Sequence, residues 1–156
     1  MAKKTIGLLT GGGDVPGLNP CMKEVVLRSL ANDYRVIGIR RGWGGFIHFD
    51  FDEPSTREYY SRELHAEDVR TIDRTGGTFL HTSRTNPQKV KANAIPDHLK
   101  DSSLGKAIDE NGTMDYTDHV LKVLEHLGID TLVTIGGDDT LSYSARLHKE
   151  GVPVVA

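Results

Sequence analysis

The chain has 156 residues, with 19 Lys and Arg against 22 Asp and Glu, for a formal net charge of −3. That length suits one compact domain with its own core, and the mild charge excludes general nucleic-acid binding, so any phosphate chemistry must come from a local site. Cys21 is the single cysteine, which excludes an intrachain disulfide and gives no sign of an oxidising compartment.

The N-terminal "MAKKTIGLLTGGGD" lacks the build of a secretory signal, because its apolar run stops at Leu9 and glycines follow. No segment reaches the roughly 20 apolar residues of a membrane span. No membrane partner is therefore expected, and a soluble cytoplasmic protein is. "TIGLLT", Thr5 to Thr10, carries the first strand signal. "LTGGGDVPGLN" follows it. Glycines after a strand permit positive φ and close approach of the backbone to a ligand. The helix start beyond them offers unpaired N–H groups and a positive dipole end. The pattern is not a P-loop, since Leu18-Asn19 stand where Lys and Ser/Thr are required. Nor is it the dinucleotide fingerprint, since Pro16 takes the place of the third glycine. On residues alone it reads as a phosphate-binding loop or as a tight structural turn.

Met22, Val25, Val26 and Leu30 mark one face of a helix that Asn32-Asp33 ends. Cys21 is expected there as a small buried side chain. "YRVIGI" is the second strand signal, and "RRGWGGF", Arg40 to Phe46, puts basic residues and an aromatic into a glycine-rich loop behind it. Trp43 either stacks on a ligand or covers the edge of the core.

From about Phe49 to Tyr116 the chain is polar and interrupted, which predicts short helices, a glycine-marked turn and long loops over the strand ends. Within it, "GGTFLHTSRTNP" predicts a glycine pair, a short apolar strand, and a loop presenting Arg84 among small hydroxyls. The planar fork of arginine suits phosphate oxygens, although a loop arginine is also commonly just solvated.

Val120, Val123, Leu124 and Leu127 lie on one face of the next predicted helix, and Gly128 stands where a C-cap glycine belongs. "TLVTI" is the third strand signal. It runs into "GGDDT", where Asp138 is placed to hold a hard cation such as Mg2+. The competing reading is a helix N-cap by Asp138 or Asp139, which accounts for one carboxylate better than for two adjacent ones. "DTLSYSARLHKEG" is again helical and closes on Gly151. "GVPVVA" reads as the start of another buried strand. Strand–helix–strand spacing of this kind predicts an α/β fold, a three-layer Rossmann-like domain with a mostly parallel sheet. The seven histidines show no metal-binding spacing.

Three loops, glycine-rich, arginine-bearing and double-aspartate, occur in an order that resembles the N-terminal portion of the phosphofructokinase family. The resemblance runs from Lys3 to the last residue, with "NPC" after the first motif as a small departure. It implies that Gly12 contacts the phosphoryl donor through its backbone, that Arg84 stabilises the phosphoryl group in transit, and that Asp138 holds Mg2+. It extends the donor-binding set to Thr85, Gly137, Asp139 and Thr140. Nucleotide-using members resemble "GGDG" here, whereas members using inorganic pyrophosphate carry aspartate at the position of Asp139. The carboxylate of Asp139 is then expected to fill the space of a nucleotide's α-phosphate and repel its charge.

The implied reaction is nearly reversible transfer from pyrophosphate to the 1-hydroxyl of fructose 6-phosphate, with Arg84 and Asp139 in the catalytic set. The rival donor is ATP, and sedoheptulose 7-phosphate is an alternative acceptor. The family's next signature, close to "PKT-I/M-DND", supplies the base that takes the sugar proton, and it does not occur in this sequence. Residues 1–156 therefore read as a donor-binding domain truncated before the base segment and inactive by itself. A noncatalytic phosphate-binding or regulatory module is the alternative from another class. Family members are usually homo-oligomers, so a homo-oligomer is expected. A kinase group acting on NAD or diacylglycerol shares a GGDG-like loop but does not account for "LTGGGDVPGLN" or the Arg84 loop.

Overall fold

The computed structural model describes residues 3–13 and 15–156; Asp14 of the glycine loop lies outside them. In chain order the elements are β1 (Thr5–Thr10), α1 (Leu18–Ala31), β2 (Arg35–Ile39), α2 (Trp43–Ile47), α3 (Pro54–Tyr60), β3 (Ser61–Glu63) and α4 (Ala66–Val69). They continue with α5 (Asp97–Lys100), β4 (Lys106–Ala107), β5 (Met114–Asp115), α6 (Thr117–Leu127), β6 (Thr131–Ile135), α7 (Asp138–Lys149) and β7 (Val154–Val155).

The main sheet has the order β3-β2-β1-β6-β7. β1 pairs in parallel with β2 and β6, and β6 with β7, while β3 runs antiparallel to β2. β1 is central, and neither Leu8 nor Leu9 is exposed at all. Successive residues of a strand point to opposite faces, so these two leucines enter different cores. Leu8 packs with Met22 and Val26 of α1 and with Val36 and Leu80. Leu9 packs with Ile37, Val120, Leu132 and Tyr143 under α2, α6 and α7. A sheet with helices on both faces is the three-layer α/β fold that the sequence predicts.

The strand signals match closely, and Gly128 caps α6 in the left-handed region at φ 63°. Four expectations are corrected. Cys21 is exposed, because it lies on the outer side of α1, away from the Met22–Val26 stripe. No strand forms at Thr78–His81; instead His81 N–H bonds back to the Thr78 carbonyl at 3.1 Å as a turn. The arginine-glycine segment after β2 is not an open loop throughout, since Trp43–Ile47 form α2 with all five residues buried. β7 is an edge strand rather than a buried one, and Val155 is 59% exposed.

Among the described residues, no helix is long and apolar enough to cross a membrane.

Candidate functional site

β1, β2 and β6 are parallel, so the segments that leave their carboxyl ends meet at one edge of the sheet. The Gly11 N–H bonds to the Ile135 carbonyl at 2.9 Å, which holds the first glycine loop against the end of β6. Gly12 has φ +79°, and a Cβ built on it would lie 3.5 Å from the Gly137 nitrogen. The two glycine-bearing loops therefore run side by side.

Thr140 explains why this junction is so rich in glycine. A Cβ on Gly11 would come within 2.3 Å of Thr140 Oγ1, and one on Gly136 within 2.6 Å. The threonine side chain fills the space between the two loops and is 3% exposed. Thr140 also lines the cleft between those loops.

The arginine loop is held from two directions. Thr10 Oγ1 donates to the His81 carbonyl at 3.0 Å and lies 2.7 Å from Thr78 Oγ1. Arg41 N–H donates to the Leu80 carbonyl at 2.8 Å. Farther back, buried Asn19 of α1 donates to the Thr75 carbonyl at 3.0 Å and accepts the Phe79 N–H at 2.7 Å. Asn19 thereby clamps the Gly76-Gly77 turn. Sequence reading assigned it no such part, because its partners lie 56 and 60 positions away.

These anchors bring the three motifs onto one cleft of ≈590 Å³, whose lining includes Gly12, Arg84, Thr85, Gly137, Asp138 and Asp139. All the residues singled out from sequence are therefore brought together. Asp138 and Asp139 occupy the first turn of α7, where the helix dipole favours carboxylates. The N-cap is Gly137, and no side chain caps this helix, so the expected alternative of an aspartate cap is not formed. Asp138, Asp139 and Arg84 are all exposed. Among the described residues their side chains make neither hydrogen bond nor ion pair. Among the described residues the cleft thus presents one guanidinium, two carboxylates and glycine backbone, with the charged groups available to a ligand.

Trp43 also reaches this cleft, but it is 2% exposed and meets the Tyr143 ring edge-on at 4.8 Å. It covers the core, and no ring face is left for stacking. Among the described residues, no group of three or more His, Cys, Asp or Glu side chains is arranged around a metal position.

The phosphofructokinase family profile matches residues 5–156. The chain belongs to the phosphofructokinase family. It is 34% identical over 155 residues to the pyrophosphate–fructose 6-phosphate 1-phosphotransferase of Dictyoglomus thermophilum, covering 99% of this chain and 35% of that protein. It is also 34% identical over 153 residues to the ATP-dependent 6-phosphofructokinase of Thermotoga neapolitana, covering 97% of this chain and 38% of that one. The crystal structure of Pichia pastoris phosphofructokinase in the T-state superposes with a TM-score of 0.68 at 27% identity, over 96% of this chain and 14% of that chain. The chain thus spans a little over a third of the length of these two curated phosphofructokinase-family relatives.

Proposed function

We propose that this chain provides the phosphoryl-donor site of a pyrophosphate-dependent 6-phosphofructokinase, which transfers phosphate from pyrophosphate to the 1-hydroxyl of fructose 6-phosphate with Mg2+. The observation that carries this reading is the convergence of Gly12, Arg84, Asp138 and Asp139 on one cleft. Phosphoryl transfer demands positioning and charge neutralisation more than covalent chemistry from the protein, and these are the groups that supply them.

Asp138 fits a magnesium ion. Its carboxylate is a hard oxygen donor, exposed at the cleft and without a protein partner among the described residues. Mg2+ is commonly held by one or two carboxylates together with substrate phosphates, a number that Asp138 and its neighbour can supply. Bound there, Mg2+ neutralises phosphate charge. The exposed guanidinium of Arg84 clamps oxygens of the phosphoryl group that moves. The backbone at Gly12, at positive φ and beside Gly137, lets the donor lie close against the loop. Asp139 places a second negative charge next to Asp138, which opposes a donor whose phosphate chain extends past two phosphates.

A relative named for pyrophosphate and one named for ATP each match nearly the whole chain at 34% identity, so the donor is decided by assay. The test uses the protein as isolated from its source and follows fructose 1,6-bisphosphate with magnesium pyrophosphate in one reaction and magnesium ATP in the other. Turnover with pyrophosphate alone is the expected result. Turnover with ATP alone would keep the cleft and overturn the donor-gate role of Asp139.

A further inference from the structure

Ser83 immediately precedes Arg84 and lines the same cleft. Its Oγ accepts the Gly44 N–H at 3.0 Å and the Thr85 N–H at 3.4 Å. A serine hydroxyl has two acceptor lone pairs and one hydrogen. Both lone pairs are engaged by backbone donors, so the hydrogen is directed away from them. Among the described residues no acceptor receives it. The contact with α2 is also sterically specific, since a Cβ on Gly44 would lie 2.8 Å from Ser83 Oγ. Gly44 is buried in α2 behind Trp43, so the hydroxyl is seated on a rigid element.

We propose that Ser83 is a ligand-binding residue, whose hydroxyl donates to an anionic phosphate oxygen of the donor. The inference rests on the reading of the cleft as a phosphoryl-donor site. Its chemistry is specific: with its lone pairs used, Ser83 can offer only a donor, and an anionic oxygen beside Arg84 is the acceptor that suits it. The Gly44 and Thr85 N–H groups together restrict the direction of that O–H before a ligand arrives, which lowers the ordering cost of binding. Sequence reading grouped Ser83 with the small hydroxyls of its loop, and only the contact with Gly44, 39 residues away, separates it from them.

The test is calorimetric titration of wild type, Ser83→Ala and Ser83→Cys with magnesium pyrophosphate. It is run at a temperature where circular dichroism shows each protein fully folded. Ser83→Ala is expected to weaken binding on the order of tenfold, the scale of a hydrogen bond to a charged group. Ser83→Cys keeps the shape with a poor donor and is expected to lose affinity severalfold. Because the readings are taken on folded protein, a lower melting temperature from the freed Gly44 and Thr85 N–H groups does not mimic this result. Wild-type affinity in either variant would overturn the Ser83 assignment while leaving the cleft reading intact. If wild type bound magnesium ATP but not pyrophosphate, the donor reading would fail, and the same variants titrated with ATP would test Ser83. Wild type that bound neither would overturn both.

Discussion

The indole Nε1–H of Trp43 donates to the carbonyl oxygen of Thr140 across 3.3 Å of buried space. This bond joins the first residue of α2 to the first turn of α7, the turn that carries Asp138 and Asp139. Trp43→Phe keeps an aromatic ring against Tyr143 but removes the donor and some volume. The Thr140 carbonyl still accepts from Ser144 Oγ at 2.9 Å, so it is not left wholly unsatisfied. The expected cost is about 1–3 kcal/mol in urea unfolding. An unchanged unfolding midpoint and slope would show that the bond does not brace α7.

Gly136→Ala tests the packing around Thr140. The new Cβ would lie 2.6 Å from Thr140 Oγ1 and 2.8 Å from the Gly11 carbonyl oxygen. Backbone on one side and a wedged threonine on the other leave little room to yield. Overpacking of this kind costs about 1–3 kcal/mol and pushes the glycine loop away from α7. Pyrophosphate affinity is expected to fall together with stability. Pairing the change with Thr140→Ala, which removes the Oγ1 that the new Cβ meets first, should recover part of both; no recovery would place the conflict at the Gly11 carbonyl.

Much of this was readable in sequence because the signals were local. The apolar runs ending in glycine delimit β1 and β6 as Thr5–Thr10 and Thr131–Ile135. The helical stripes of α1 and α6 place their buried faces correctly, with Met22 and Val26 inside at one helix and Val120 and Val123 at the other. What escaped depends on partners far along the chain. β3 is Ser-Arg-Glu, with no apolar alternation, and becomes a strand through backbone pairing with β2 at Ile37–Ile39. Trp43 is ambiguous until Tyr143 lies against it. The motif residues were legible as a set because glycine, arginine and aspartate types suit phosphate. That Thr140 is a spacer while Ser83 opens to the cleft is a matter of three-dimensional contacts.

His119 gives the fold a pH dependence. It is 1% exposed, and burial pushes its pKa down from 6.5 to about 4, partly offset by its bond to the Phe46 carbonyl. The His98 ring, 5.8 Å away, adds to the depression, while Asp50 opposes it. The unfolded chain therefore takes up a proton at a pH where the folded chain does not. This contribution is complete above about pH 6.5 and is lost as pH falls toward 4, to a total on the order of 3 kcal/mol. His48, lowered by burial and then by Arg41 and His98, acts in the same direction. Urea unfolding at pH 7.0 and 4.5 should show the loss, and His119→Gln, which can still donate to the Phe46 carbonyl, should reduce it. An equal loss in the variant would assign the pH dependence to other groups.

The adjacent aspartates should separate cleanly under substitution. Asp138→Asn removes the charge proposed to hold Mg2+ but keeps the shape of the side chain. Metal stabilisation of a phosphoryl transition state is worth several kcal/mol, so kcat/KM should fall by at least ~10²-fold with either donor. Asp139→Gly should act differently, because its proposed effect is repulsion of a longer phosphate chain rather than support of the reaction. Relative kcat/KM for magnesium ATP over pyrophosphate is expected to rise by about tenfold or more. Both carboxylates are exposed in the first turn of α7 and neither caps it, so Asp138→Asn should lower the melting temperature only slightly. Asp139→Gly should lower it by a few degrees, through the lost dipole interaction and the cost of about 1 kcal/mol for glycine in a helix. The two variants thus discriminate by donor ratio rather than by stability. A parallel loss of both donors in Asp139→Gly would make Asp139 a second support for the metal, and the two neighbouring charges would then serve one purpose.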